Sequence, residues 1–401
     1  MTSNESKIFI IDLDGTLLKT DSLGELFFQT LAQGRLASLF WPILGRAAFK
    51  KRLALATELD LADLPWNEDV IKLAQERRQN GQRIFLATAA DEVLAQKIVA
   101  HFDFFEGYVA SDGRRNLKGE AKANVLVTRF GAKGFAYAGN SLMDLPVWRV
   151  ANEAVVVGDQ SLVKRAKAEN HNVLALGGVG SGPGLFRTII KVIRVHQWAK
   201  NLLLFLPLMM AHLFTLAALN RASLAFLVFN ALSSGGYILN DLLDLNADRR
   251  HPEKRARPMA AGTFDPLKGA GLFFLILLLG LLLAWFLGGF FFALALVYLL
   301  TSVIYSLKLK TIAILDVVVL TLLYCLRVLA GAIALDIVVS QWLLSFCFFV
   351  FASLCLIKRL GETVKSSDSI EDPASSRRPY GVEDKAFFLA MTSSCVGCAV
   401  L

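Results

Sequence analysis

The chain has 401 residues, 55% of them hydrophobic and 19% charged, and 42 Lys and Arg against 34 Asp and Glu give a formal charge of +8. That length allows two or three domains, and the average composition hides a split between a mixed first part and a part, 199–358, dominated by Leu, Phe, Val and Ala runs. A basic balance fits nucleic acid or a membrane surface; here Lys and Arg gather at the ends of apolar runs, which excludes nucleic acid as the expected partner.

Residues 1–7 are polar and the run 8–11 is too short for a secretory signal core, so the first part is expected to fold where it is made. Ile8-Phe9-Ile10-Ile11 reads as a strand buried on both faces that releases Asp12 and Asp14 at its tip, in Asp12-Leu13-Asp14-Gly15-Thr16. A second strand, Ile84 to Thr88, ends in a hydroxyl; Lys122 follows in Gly119-Glu120-Ala121-Lys122-Ala123, and a further apolar run leads into Gly139-Asn140-Ser141-Leu142-Met143-Asp144.

These four segments, in this order, resemble the motifs of haloacid dehalogenase-like (HAD) phosphatases over about residues 7–170. The resemblance implies an α/β fold, a Rossmann-type sheet with a small helical cap formed by 18–80. It also implies Asp12 as the nucleophile that takes the phosphoryl group, Asp14 as general acid and base, Thr88 and Lys122 as phosphate ligands, and Mg2+ held by Asp12, Asp14 and Asp144. A carboxylate needs a cation to approach a phosphate dianion, so the metal belongs to the chemistry. Asn140 stands where the family has an Asp, and the missing charge weakens Mg2+ binding unless Asp144 compensates.

Gly177 to Gly184 is glycine-rich with no strand and helix framing it, and reads as a linker. Leu185 to Lys200 interleaves Phe186, Ile189, Ile190, Ile193 and Trp198 with Arg187, Lys191, Arg194 and Lys200, the pattern of an amphipathic helix in the membrane interface. Apolar segments near bilayer length follow at 200–219, 222–243, 268–288, 290–307, 312–334 and 339–358, and a seventh begins near Phe387 and runs to Leu401. If the spans alternate, Lys200, the cluster 249–257, Lys268, Lys308, Lys310, Lys358, Arg359, Lys365, Arg377 and Arg378 share one side, which the positive-inside rule makes cytoplasmic. The expected organisation is a cytoplasmic domain over 1–175, a linker and interfacial helix over 176–199, and a multi-pass domain of the cell membrane over 200–401. The five cysteines lie in apolar segments, and Cys395-Val396-Gly397-Cys398 has no redox or zinc context.

The second of these spans ends in Asn240-Asp241-Leu242-Leu243-Asp244-Leu245-Asn246-Ala247-Asp248, followed by His251-Pro252-Glu253-Lys254-Arg255-Ala256-Arg257-Pro258. On one continuous helix Asn240, Asp244 and Asp248 stack on one face with Asp241 beside them, which suits Mg2+ and the phosphate oxygens it bridges. Arg327 lies inside an apolar run, where facing lipid costs several kcal/mol, so it is expected to point into the bundle and pair with an acid or phosphate.

The acidic segment, together with Arg194 to Asn201, Tyr305 to Lys310 and Asp316, resembles the UbiA superfamily of intramembrane prenyltransferases, and the His251 to Pro258 segment looks most like the branch that makes polyprenyl-phosphoryl phosphoribose. The resemblance implies an all-α membrane bundle, here incomplete because the chain stops inside the seventh apolar segment, with Asp241, Asp244 and Asp248 binding Mg2+ on a diphosphate. It implies phosphate or substrate contacts from Lys200, Asn240, Lys254, Arg255, Arg257, Tyr305, Lys308 and Arg327. It also implies contacts from Lys358, Arg359 and Glu362, with Tyr380 near them and Asp368 to Asp372 as a second place for the later acidic motif. The reaction so implied is transfer of 5-phosphoribose from phosphoribosyl diphosphate to a polyprenyl phosphate, with the HAD-like domain dephosphorylating the product for cell-envelope glycan synthesis. Prenyl transfer to an aromatic acceptor, and a non-catalytic anchor carrying a phosphate-binding domain, are the alternatives.

Overall fold

The computed structural model describes residues 7–57, 59–111, 117–177, 184–368 and 380–400. Most of the glycine run and the segment 369–379, with Asp372, Arg377 and Arg378, lie outside the described residues, and so do the side chains of Lys365 and Asp368. The chain divides into two units, one of residues 1–188 with 242–269 and the other of 189–241 with 270–401.

The first unit is built on a six-stranded sheet: β1 (Ile8–Ile11), β2 (Arg83–Asp91), β3 (Phe105–Ser111), β4 (Ala136–Gly139), β5 (Glu153–Val157) and β6 (Val173–Leu176). Its order is β3-β2-β1-β4-β5-β6, every pairing parallel. Side-chain alternation explains why the strands are apolar on both faces. Phe9 and Ile11 enter one buried cluster with Leu13, Leu26, Leu53 and Leu86, while Ile10 enters another with Phe85, Tyr137 and Trp148.

Helices α1 (Ser22–Ala32), α2 (Arg46–Ala56) and α3 (Glu68–Gln79) fall between β1 and β2, the place expected for a helical cap. The connections after β2 and β3 and those flanking β5 carry α4 (Glu92–His101), α5 (Glu120–Phe130), α6 (Leu145–Val150) and α7 (Gln160–Glu169). The strand order reverses between β1 and β4, so the crevice at their carboxyl ends is the natural ligand position for an open parallel sheet.

Helix α8 (Leu185–Val192) is shorter than the amphipathic helix expected over 185–200, because Arg194 takes a left-handed conformation (φ 53°) and ends it. The first expected span, 200–219, is not a continuous helix. Residues 195–205 form 3-10 turns, α9 covers only Leu206–Met210 with Pro207 in its first turn, and His212 turns left-handed (φ 54°). Hydropathy over that stretch is high, but its polar Asn201 is turned inward and 1% exposed.

Among the described residues five helices are long and apolar enough to cross a membrane: α10 (Leu216–Leu243), α12 (Pro266–Phe286), α13 (Gly289–Leu307), α14 (Leu315–Ala334) and α15, which runs Gln341–Asp368 and is apolar enough over Gln341–Val364. The short helix α11 (Leu245–Arg250) lies between α10 and α12, and α16 (Lys385–Val400) is the last. In the second unit Phe229, Leu232, Phe291, Tyr298, Leu323 and Ala330 form the main buried cluster. Gly331 of α14 is required there, since a Cβ on it would fall 2.1 Å from the carbonyl oxygen of Leu204; lipid-embedded helices approach closely through such small residues.

The acidic segment is not one helix. Asp244 interrupts it (φ −100°, ψ 14°), ending α10 and standing at the N-cap of α11, so the continuous face of Asn240, Asp244 and Asp248 is broken at its middle member. Residues 242–269 group with the first unit.

Candidate functional site

The parallel sheet brings the expected phosphatase residues together at the carboxyl ends of β2, β1 and β4. Asp12 follows β1 directly, and its N–H donates to Ala138 O of β4 at 2.9 Å. Lys122 Nζ donates to Asp12 Oδ1 at 2.8 Å and to Tyr137 Oη at 3.0 Å, and Tyr137 Oη donates to Asp144 Oδ1 at 3.1 Å. Asp144 Oδ2 is held by the N–H groups of Asn140 and Ser141 and by the Ser141 hydroxyl. Thr88 is fully buried and accepts from the Ala90 N–H at 2.9 Å.

Burial pushes the Asp12 carboxyl up to about 7, opposed by Lys122 and reinforced by Asp144 and Asp14. Burial also drives the Tyr137 phenol up, with Asp12 and Asp144 adding, so it stays a neutral donor. Lys122 stays a cation: its carboxylate partners Asp12 and Asp144 outweigh a desolvation that by itself favours the neutral amine, and its pKa is raised.

Asp14 turns its Oδ1 to the N–H of Ser22, at the start of α1, at 2.8 Å. Gly15 (φ 73°) lies against Asn140, and a Cβ there would meet Asn140 Nδ2 at 1.9 Å, so the amide of Asn140 does reach the loop of the two aspartates. The Thr16 hydroxyl in that loop is buried without a partner. Hard carboxylate and amide oxygens with an unsatisfied hydroxyl beside them suit Mg2+ and phosphate. Tyr137 is the member sequence reasoning missed, because an aromatic inside a buried strand looks like core.

Of the second acidic stretch, Asp241 belongs to the second unit. It is 4% exposed and ion-pairs with Arg194, while Asn240 Oδ1 accepts from Lys310 Nζ at 3.1 Å. Within the first unit, Asp248 is 3% exposed and pairs with Arg257 through Oδ2 at 2.6 Å, and its N–H bonds to Asp244 O at 2.8 Å. Burial raises Asp248 against the pull of Arg257. Lys254 is half-buried and Arg255 exposed, both in a 3-10 turn over Lys254–Ala256.

Arg327 points into its bundle as expected, 5% exposed, but its partners are neutral: Asn201 Oδ1 at 2.7 Å, Tyr298 Oη at 2.8 Å and Leu323 O at 2.6 Å, with the Tyr298 and Tyr324 rings each 5.1 Å away. Asn201 also donates to Asn230, whose own Nδ2 is buried without a partner. Arg359 is held by Asp316 (2.6 Å) and Glu362 (2.8 Å), with Tyr305 Oη at 3.3 Å, and Tyr380 donates to Asp316. Lys200 is half-buried, and Lys308 and Lys358 are exposed. Among the described residues no three His, Cys, Asp or Glu side chains gather as a metal cage.

Residues 201–360 match the UbiA prenyltransferase family. The chain is 36% identical over 376 residues to the uncharacterized protein y4nM of Sinorhizobium fredii, an alignment covering 92% of this chain and 72% of that protein. It is 32% identical over 204 residues to the decaprenyl-phosphate phosphoribosyltransferase of Mycolicibacterium smegmatis, which covers 47% of this chain and 64% of the enzyme, so the chain spans about two thirds of that relative's length. A HAD family hydrolase structure from Salmonella enterica is similar with a TM-score of 0.30 and 11% identity, covering 42% of this chain and 68% of that one. The chain therefore belongs to the UbiA prenyltransferase family, as an integral membrane protein with a parallel α/β domain ahead of its apolar helices.

Proposed function

We propose that this protein moves the 5-phosphoribosyl group of phosphoribosyl diphosphate onto a polyprenyl phosphate, and that its HAD-like domain removes the 5-phosphate from the lipid product. One observation carries the transfer reading: the buried Asp248 is neutralised by Arg257 in the basic segment that follows it. Asp248 would be a ligand for a divalent cation and Arg257 a donor to a diphosphate, each released from the other by its new partner. The similarity to the mycobacterial phosphoribosyltransferase supports the same substrate class.

In this reading Asp244 and Asp248 of the first unit would hold Mg2+, which would neutralise the departing diphosphate. Lys254, Arg255 and Arg257 of the same unit bind the diphosphate, while Asp241 and Asn240 pair with Arg194 and Lys310 inside the second unit. The second unit binds the lipid phosphate: Lys200, Tyr305, Lys308, Arg327 and Lys358 supply donors, while Glu362 and Asp316 orient Arg359. The orphaned Asn230 amide beside Asn201 supports an anion in that bundle. A phosphate oxygen of the lipid attacks the anomeric carbon as its bond to diphosphate breaks, so no protein nucleophile is needed and the basic groups stabilise the leaving charge.

In the HAD-like domain Asp12 attacks the 5-phosphate as Asp14 protonates the leaving oxygen, and water deprotonated by Asp14 then cleaves the Asp12 acyl phosphate to release phosphate; Lys122 and Thr88 hold the phosphoryl oxygens, and Asp12, Asp14 and Asp144 would hold the metal. The positive-inside distribution supports a cytoplasmic side for this domain. Diphosphate release from the full chain in lipid nanodiscs tests the transfer: it should require Mg2+, polyprenyl phosphate and phosphoribosyl diphosphate together, and release without the lipid acceptor contradicts it.

A further inference from the structure

Arg249, the residue after Asp248, is buried, and its guanidinium grips Glu25 with two bonds, Nη1 to Oε2 at 3.0 Å and Nη2 to Oε1 at 2.7 Å, with the two side chains 5% and 2% exposed. Its Nε donates to Ala260 O at 3.1 Å, closing the loop on itself, and Thr20 Oγ1 donates to Glu25 Oε1 at 2.6 Å. Glu25 stands in the first turn of α1, whose leading residue Ser22 is bonded to Asp14. The far end of the same loop is fastened to the same region: the Asp21 N–H donates to Asp265 Oδ2 at 2.9 Å. Between them Gly262 (φ 71°) lies so close that a Cβ would fall 2.9 Å from Pro65 Cβ and 3.0 Å from Lys19 Cβ. Arg250 adds exposed bonds to Asp60 and Asp63.

These contacts all lie inside one compact unit, and those of Arg249 with Glu25, Arg250 with Asp60 and Asp63, and Asp265 with Asp21 join residues more than 180 positions apart in sequence. Glu25 and Arg249 are absent from both sets of reacting groups. A two-bond carboxylate–guanidinium pair fixes direction as well as distance, and Arg249 is adjacent to Asp248.

We propose that Glu25 and Arg249 are positioning residues, through which the HAD-like domain holds the loop bearing Asp248, Lys254 and Arg257 in its binding conformation. The domain thereby serves the transferase as a clamp, whatever its own phosphatase activity. The substrate named for the loop rests on the transfer reading above; the anchoring of the loop does not.

Hydrogen exchange on the full chain in nanodiscs, run with transfer kinetics, tests this with Glu25→Gln, Arg249→Lys and the double variant Glu25→Met with Arg249→Met. In Glu25→Gln, peptides covering 251–265 should exchange at least about ten-fold faster, while the strands around Ile10 and Leu86 keep their protection; KM for phosphoribosyl diphosphate should rise about ten-fold with kcat within about two-fold. A general loss of fold would instead release the strands; in that event the double variant, which leaves no unpaired buried charge, decides. Its loop should still loosen and its KM rise. Wild-type protection of 251–265 in either Glu25→Gln or the double variant overturns the proposal. Should the loop loosen in the variants while the wild-type chain transfers no phosphoribosyl group, the substrate reading fails and the clamp stands.

Discussion

Lys122 Nζ lies 2.8 Å from Asp12 Oδ1, and both side chains are almost wholly buried at the carboxyl edge of the sheet. An ammonium so placed neutralises the carboxylate that the proposed function makes the nucleophile. Removing one partner strands the other charge in a low-dielectric site. Lys122→Met should therefore cost about 3 kcal/mol or more of stability, read by thermal melting of the domain, as well as phosphatase activity. Asp12→Asn should remove phosphate release and leave lipid transfer untouched.

Asn140 is the one motif position without its expected charge, although its amide sits against Gly15 beside Asp14. Asn140→Asp should lower the Mg2+ concentration for half-maximal phosphate release by roughly ten-fold, since a carboxylate binds the ion more tightly than an amide. Titration of phosphate release with Mg2+ checks it, and an unchanged midpoint would mean Asp144 already supplies the charge.

Asp21 carries a pH dependence. Burial pushes its carboxyl up to about 6, with Asp14 and Asp265 adding and the Leu23 N–H opposing. A raised acid holds its proton in the folded chain while the unfolded chain has lost it, so its contribution to stability falls as pH rises from about 4 to about 6 and is level above that. Asp21→Asn keeps the side-chain oxygen that caps α1. The variant should match wild type at pH 4 and exceed it by about 2–3 kcal/mol at pH 7.5, measured as the difference between the two stability curves.

Arg327 is held by Asn201, Tyr298 and a backbone carbonyl, with no carboxylate among these partners. Arg327→Met should leave Asn201 and Tyr298 short of a buried partner and cost about 1–3 kcal/mol for each such group. It should also raise KM for polyprenyl phosphate more than KM for phosphoribosyl diphosphate. Equal effects on both would assign Arg327 a structural role alone.

Much of this architecture was legible in the residues. The unbroken run Ile8 to Ile11 announces a strand buried on both faces, and the aspartates at its tip fall where a parallel sheet gathers ligands. The segments at 268–288 and 290–307 are helices within two residues of those limits, because a bilayer leaves a 20-residue apolar stretch little alternative. Where backbone conformation decides, composition was silent: Arg194, His212 and Asp244 break helices that hydropathy continues through. The site partners were harder still. Tyr137 looks like core, Asn201 like a lone polar residue in an apolar run, and Glu25 with Arg249 is a pair 224 residues apart that no local pattern reveals.

The central claim is that the acidic segment catalyses phosphoribosyl transfer to lipid, and labelled phosphoribosyl diphosphate with polyprenyl phosphate and Mg2+ tests it most directly. Wild type and Asp12→Asn should both place label in the lipid fraction, and Asp244→Ala and Asp248→Ala should lower it by at least about 100-fold, as loss of a metal ligand at a developing charge does. Unlabelled lipid from the wild-type chain, or equal label from the Asp248→Ala variant, would contradict the account.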